Sequence, residues 1–270
     1  MDTTSREQDA PTVEGRSRGV AIVTGARRGI GRAICVELAK SGFDVAVVDI
    51  AADGNGDETV RQVAEKGRNA FFFKLDISNT ADYSTFLSAV GDRLGPVTCL
   101  VNNAGVQVAE RGDLLDVSEE SFDRLIDINL RGTFFLTQAV AKTMVGREHA
   151  DDRSIVFITS SNAGLVSPEK GPYCISKAGL SMASQQFALR LAEHDINVFE
   201  IRPGLIRTDM TAEVFDRYNP GVEAGSLSPI RRWGEPEDVA RAIATLVTGG
   251  MPFSTGDIYS IGGGLQVPRL

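Results

Sequence analysis

Short apolar runs rich in β-branched residues alternate along this chain with stretches whose apolar positions recur at helical spacing. "VAIVTG" (20–25) leads into "GIGRAICVELAKSG", and "DVAVVDI" (44–50) leads into "DETVRQVAEKG". "AFFFKLDIS" (70–78) precedes "ADYSTFLSAVGDRLG", and "VTCLVNNAG" (97–105) precedes "SEESFDRLIDINLRGTFFLTQAVAKTMV". "RSIVFITSS" (153–161) comes before a helix containing "GPYCISKAG"; "INVFEIRPG" (196–204) and "GDIYSIGGG" (256–264) complete the series. Near-continuous apolar strands separated by helices mean a parallel sheet covered on both faces. Connections of this kind are right-handed and wind the helices to either side. The pattern predicts an α/β fold: a single doubly wound domain over 19–270, with a seven-stranded parallel sheet and at least six helices. The stretch 209–233 breaks the rhythm, with scattered apolar residues and little periodicity. It is expected to be a mobile substrate lid, with Met210, Val214, Phe215, Tyr218 and Leu227 as an apolar wall. "GVQVAERGDLL", after the fourth strand, is a second candidate wall. Arg231 and Arg232 are candidates for holding an acidic substrate group, or are surface charge.

A length of 270 residues suits one large domain. The formal net charge of -8 argues against nucleic acid and anionic membranes as partners. Cys35, Cys99 and Cys174 have no CxxC spacing, so no disulfide framework or zinc site is implied. The two histidines, His149 and His194, lie in polar stretches and are read as surface residues. A histidine-based metal site or a Ser-His-Asp triad is therefore not expected. Residues 1–18 are polar, lack the apolar core of a signal peptide, and are expected to form a disordered tail. No apolar run is long enough to cross a bilayer, and with no disulfide framework a reducing cytoplasm is the expected location.

In an open parallel sheet, ligands bind beyond the carboxyl ends of the strands. The first strand ends in "TGARRGIG" (24–31). There Gly25 permits a tight turn, Gly29 lets the backbone approach a pyrophosphate, and Gly31 allows close helix packing. The second strand ends at Asp49, placed to bind the hydroxyls of an adenosine ribose and to repel a 2′-phosphate, which favours NAD(H). Arg27 and Arg28 argue for NADP(H) instead, since a guanidinium there can hold that phosphate. Asp76, after the third strand, is either a partner for the adenine amino group, with Ile77 packing nearby, or a turn residue. Tyr173 and Lys177 stand four positions apart, which on a helix puts them on one face. An ammonium near a phenol lowers the phenol pKa from its usual ~10 and makes it usable in proton transfer.

Taken together, "TGARRGIG", "NNAG" (102–105), a serine thirteen positions before the tyrosine and "YCISK" (173–177) resemble the short-chain dehydrogenase/reductase family. The resemblance runs from about Val20 to Gly264. "YCISKAGL", "IRPGLIRTDMT" and "RRWGEPEDVA" further resemble bacterial members described as 3-oxoacyl-acyl-carrier-protein reductases. The resemblance implies a Rossmann fold and a hydride transfer between a nicotinamide and a secondary alcohol or ketone. It implies Tyr173 as proton donor or acceptor, Lys177 as the group that lowers its pKa and binds the nicotinamide ribose, and Asn129 of "DINLRG" as the anchor of a relay water. The serine is Ser160 by spacing, with Ser161 as the alternative because Gly164 falls one position late. The resemblance extends cofactor contact to Ile30, to Asn103, Ala104 and Gly105, and to Pro203, Gly204, Ile206 and Thr208. No metal is implied. Ile261 and Gly262 depart from the family's usual acidic residue before the final Gly-Gly. NAD(H) is the preferred cofactor and NADP(H) the alternative. The substrate is expected to be a small polyol, sugar or hydroxy-acid derivative; the alternatives are a 3-oxoacyl thioester and, more remotely, a non-catalytic nucleotide sensor. A homotetramer is implied by the resemblance.

Overall fold

The computed structural model describes residues 17–146 and 152–268. Seven strands form one parallel sheet: β1 (Val20–Thr24), β2 (Asp44–Asp49), β3 (Ala70–Lys74), β4 (Val97–Asn102), β5 (Arg153–Ile158), β6 (Ile196–Pro203) and β7 (Ile258–Ile261). Their order is β3-β2-β1-β4-β5-β6-β7, so the direction of winding reverses between β1 and β4. That reversal opens a crevice at the carboxyl ends of these two strands.

Alternate residues of each inner strand feed opposite cores, because successive side chains of a strand point to opposite faces. Ile22, Val48, Leu100, Ile155 and Val198 pack on one face with α3 (Tyr83–Leu94), α5 (Thr133–Met144) and α6 (Gly171–Leu191), through Val90, Leu136, Val140, Met144 and Leu180. Val23, Val47, Val101, Val156 and Phe199 pack on the other with α1 (Gly29–Lys40), α2 (Gly54–Ala64) and α9 (Pro236–Thr245), through Ile34, Leu38, Val63, Val239 and Ile243. This is the seven-stranded doubly wound fold that the alternation predicts. The edge strands differ from the inner five: Phe71 in β3 and Ile258 in β7 are exposed.

Three local features depart from the sequence expectation. Ser17 and Arg18 belong to the domain, not the tail: the Ser17 hydroxyl donates to Asp44 Oδ2 (3.1 Å) and the Arg18 amide to the Gly42 carbonyl (3.0 Å). The rest of the expected tail, residues 1–16, lies outside the described residues, as does His149. The long helix after β4 is α4 (Glu119–Leu125) joined to α5 by a π-helical turn, Ile126–Gly132. The segment 209–233 is largely helical, with α7 (Asp209–Ala212) and α8 (Phe215–Glu223). Pro220 inside α8 and the shortness of α7 explain why no helical period shows in the sequence. Among the described residues no helix is long and apolar enough to cross a membrane, and no cluster of His, Cys, Asp or Glu could hold a metal ion.

Candidate active site

The loop from β1 to α1 is built for close backbone approach. Gly25 and Gly29 have φ of 63° and 55°, a region that disfavours side chains. A Cβ on Gly31 would lie 2.1 Å from the Gly25 carbonyl oxygen, so only glycine lets α1 start this near the strand. Asn103 locks the loop from the neighbouring strand end: its Nδ2 donates to the carbonyls of Thr24 (2.9 Å) and Gly25 (3.0 Å). The Thr24 hydroxyl in turn accepts from the amides of Asn103 and Ala104, both at 3.0 Å. Thr24 is a tie that the sequence reading missed; its position at a strand end gave no signal apart from the loop.

This loop borders a cleft of about 480 Å³, lined by Gly25, Arg27, Arg28, Gly29, Ile30, Gly31, Asp49, Asp76, Ile77, Asn103, Ala104, Gly105 and Thr208. Its bare glycine backbone at a helix start fits a pyrophosphate. Asp49 is buried, and its Oδ1 accepts from the Ala51 amide (3.2 Å) and pairs with Arg27 Nε (3.3 Å). Arg27 also binds Asp53, and Arg28 Nη1 pairs with Asp209 Oδ2 (2.7 Å). Both guanidinium groups are thus engaged by carboxylates. Asp76 forms a turn, with Oδ1 accepting from the Ser78 amide (2.9 Å) and hydroxyl (2.7 Å). It still borders the cleft, so the two readings of this residue are compatible.

A second pocket opens beside the first and shares Ile30, Asn103, Gly105 and Thr208 with it. It is lined by Ser160, Ser161, Tyr173, Lys177, Pro203, Gly204 and Ile206, together with Met210, Val214 and Tyr218 from the helical segment. Phe215 and Leu227, expected in this wall, are elsewhere: Phe215 stacks on Trp233 with ring centroids 5.0 Å apart, and Leu227 packs against Gly221. Arg232 instead pairs with Asp238 (2.7 Å) and lines a separate cavity.

Tyr173 and Lys177 lie one turn apart in the first turns of α6, and both are buried. Lys177 Nζ donates to the Ile158 carbonyl (3.0 Å) and stands 5.9 Å from the Tyr173 ring centroid. Burial lowers the Lys177 pKa to about 8, opposed by the nearby Glu200 charge. The Tyr173 phenol is pushed above its ordinary value, because burial outweighs the opposing effect of the Ser160 hydroxyl. The lowering expected from Lys177 is therefore not what the structure gives: desolvation of the phenolate dominates, and the opposing contribution comes from Ser160. Ser160 and Ser161 both line the pocket, and Ser160 is the one whose hydroxyl bears on the Tyr173 pKa. Asn129 is fully buried in the π-helical turn. Its Nδ2 donates to the Val106 carbonyl (2.9 Å) and to Ser176 Oγ (3.1 Å), and its Oδ1 accepts from the Val106 amide (2.8 Å). It thus ties α6 to the loop after β4. A Cβ on Gly105 would sit 3.2 Å from Asn129 Oδ1 and 3.3 Å from Lys177 Nζ, so all three meet at one point.

Behind Lys177 lies a charged group that the sequence reading missed. Glu200, in β6, is buried and accepts from Thr159 Oγ1 (2.7 Å), Ser181 Oγ (2.7 Å) and Arg202 Nε (2.6 Å). A glutamate within an apolar strand was the available signal, since a buried carboxylate needs partners. At the end of the sheet, a Cβ on Gly204 would lie 2.6 Å from Gly262 Cα.

A family model described as Enoyl-(Acyl carrier protein) reductase matches residues 25–266. The chain is 31% identical over 247 residues to a 3-oxoacyl-[acyl-carrier-protein] reductase of Synechocystis sp., covering 91% of this chain and 96% of that protein. It is 30% identical over 247 residues to the corresponding reductase of Staphylococcus epidermidis, covering 92% and 98%. The crystal structure of a 3-oxoacyl-[acyl-carrier protein] reductase from Brucella melitensis in complex with NAD is 47% identical, with a TM-score of 0.91, and covers 95% of this chain and 100% of that one. With the glycine loop, the sheet order and the match spanning nearly its whole length, the chain belongs to the short-chain dehydrogenase/reductase family of oxidoreductases.

Proposed function

We propose that this protein interconverts a 3-oxoacyl compound and its 3-hydroxyacyl counterpart with NAD(H). The observation that carries the proposal is the pocket where Ser160, Tyr173 and Lys177 meet, open to the glycine-loop cleft through Ile30, Gly105 and Thr208. A nicotinamide cofactor held in the cleft supplies the hydride. The Ser160 hydroxyl hydrogen-bonds the substrate oxygen, and Tyr173 protonates it as negative charge develops during reduction. Lys177, held by the Ile158 carbonyl, places an ammonium near Tyr173. Asn129 keeps the loop after β4 and α6 in register behind them.

The substrate reading reverses the order expected from the sequence, which put a polyol, sugar or hydroxy-acid derivative first. The names of the relatives support the 3-oxoacyl alternative better. The test is loss of NADH absorbance with acetoacetate and with an acetoacetyl thioester, using purified protein. Absence of turnover with both would sink the proposal.

The cofactor preference rests on Asp49, on the capture of Arg27 and Arg28 by carboxylates, and on the NAD complex of the Brucella protein. A 2′-phosphate would have to displace those ion pairs and face Asp49. Asp49→Ala is expected to weaken NADH binding more than NADPH binding, by about tenfold in their ratio, the size of one charged hydrogen-bond loss. Titration of both coenzymes by protein fluorescence reads this directly, and an unchanged ratio would favour NADP(H).

We also infer a homotetramer. Ile175, Met182 and Leu189 recur every seventh residue on α6 and are 50%, 54% and 79% exposed, a stripe that a second copy would cover. At the β7 edge, Phe253 and Ile258 are exposed as well. Sedimentation equilibrium should give a tetramer mass, falling on Met182→Glu; a monomeric wild type would refute the inference.

A further inference from the structure

The pocket holds two cations that the chemistry above does not use. Arg111, in the loop after β4, and Lys170, just before α6, both line it alongside Ser160 and Tyr173. Arg111 Nε and Nη2 reach Glu213 Oε1 at 3.2 and 3.1 Å. Arg111 Nη1 is shut off from solvent with no hydrogen-bond partner among the described residues. The arginine side chain is 19% exposed and the glutamate 63%, so the pairing carboxylate stands out in solvent. Lys170 Nζ donates to Asn162 Oδ1 (2.8 Å), a neutral acceptor, and lies 5.4 Å from the Tyr173 ring centroid. Burial and the Arg111 charge both press the Lys170 pKa below its usual value. The nearby Glu169 charge opposes this but does not reverse it, and Arg217 takes both its oxygens at 2.8 and 3.1 Å. Two like charges and a buried unsatisfied donor are unfavourable by themselves. An oxyanion brought in by the substrate removes both costs.

We propose that Arg111 and Lys170 form an anion subsite that seats the carboxylate of a free 3-oxo or 3-hydroxy acid, in place of a thioester. The proposal rests on Ser160, Tyr173 and Lys177 being the reacting centre. In a 3-oxo acid the carboxylate stands two carbons from the carbonyl, and the subsite adjoins Tyr173 in the same way. The guanidinium presents a fixed donor edge and the ammonium a mobile point charge, a combination suited to a carboxylate. Reduction with bound NADH would place a hydride on C3 while the Tyr173 proton goes to the C3 oxygen, leaving NAD⁺, the 3-hydroxy acid and a phenolate that regains its proton from solvent. The carboxylate is unchanged throughout.

The test compares kcat/KM for acetoacetate and for the N-acetylcysteamine thioester of acetoacetate. Wild-type protein is expected to favour the acid. In Arg111→Gln and Lys170→Gln the acid-to-thioester ratio falls by roughly tenfold to a hundredfold, through KM more than kcat, as charged hydrogen bonds are lost. A wild type that favours the thioester, or variants that leave the ratio unmoved, would overturn the subsite. Calorimetry of butyrate and butyramide binding to the NAD⁺-loaded protein separates this from the reaction itself. Arg111-dependent preference for butyrate without turnover of any 3-oxo compound would uphold the subsite and sink the proposed reaction. Equal binding of the two would refute the subsite even if turnover occurs.

Discussion

Replacing Tyr173 by phenylalanine is expected to cut reductive kcat about a thousandfold, within the range for loss of a general acid. NADH binding, read by fluorescence, should persist. The phenol is buried in the pocket with Ser160 at its hydroxyl. Its immediate partners are poor substitutes: the Ser160 hydroxyl is a hydrogen-bond donor with a far higher pKa, and Lys177 donates to the Ile158 carbonyl. Because burial raises the Tyr173 pKa, the residue is protonated at neutral pH and loaded for reduction. Oxidation of the alcohol needs the phenolate, so its rate should climb with pH while Lys177 still carries charge. Phenylalanine keeps the ring and its packing, which keeps a folding defect from explaining the loss. A variant retaining more than a tenth of wild-type turnover would remove Tyr173 from the acid role.

Glu200 carries the second large effect. Glu200→Leu should destabilise the fold by about 3–5 kcal/mol, the cost of breaking a buried ion pair from one side. Arg202 would lose the carboxylate that neutralises it, and the hydroxyls of Thr159 and Ser181 would lose an acceptor. Chemical denaturation measures this, and a loss below about 1 kcal/mol would mean that water replaces the carboxylate. The milder Glu200→Gln reports on catalysis. The Glu200 charge favours the Lys177 ammonium, against burial that lowers its pKa to about 8. The charged form is the one present below that pH, so reductive kcat/KM should decline as pH rises past about 8 in the wild type. Without the Glu200 charge the Lys177 pKa drops further, and the decline should begin at lower pH. A profile that does not move would disconnect Glu200 from Lys177.

Chemistry at the strand ends was legible where it is carried by neighbours in sequence. The glycine loop needs Gly25, Gly29 and Gly31 within seven residues, and the four-residue step from Tyr173 to Lys177 needs one turn of helix. The structure brings Ser160, Tyr173 and Lys177 to one pocket and places Asp49, Asp76 and Ile77 along the cleft. Long-range placement was not legible. Arg111 meets Glu213 about a hundred residues away, Glu200 meets Thr159 and Ser181 from two other elements, and Arg28 meets Asp209 across the cleft. The charged group near the substrate was sought at Arg231 and Arg232. The structure turns Arg232 toward Asp238 and presents Arg111 and Lys170 instead.

The sequence by itself determined the doubly wound sheet and the family, because strand and helix periods and the glycine and Tyr-Lys spacings are local properties that survive in one dimension. Tertiary structure alone decided the pairing of Arg27 with Asp49, the direction of the Tyr173 shift and the cationic corner of the pocket. Each of these depends on burial and on distances between charges, and such distances exist only once the chain has closed on itself.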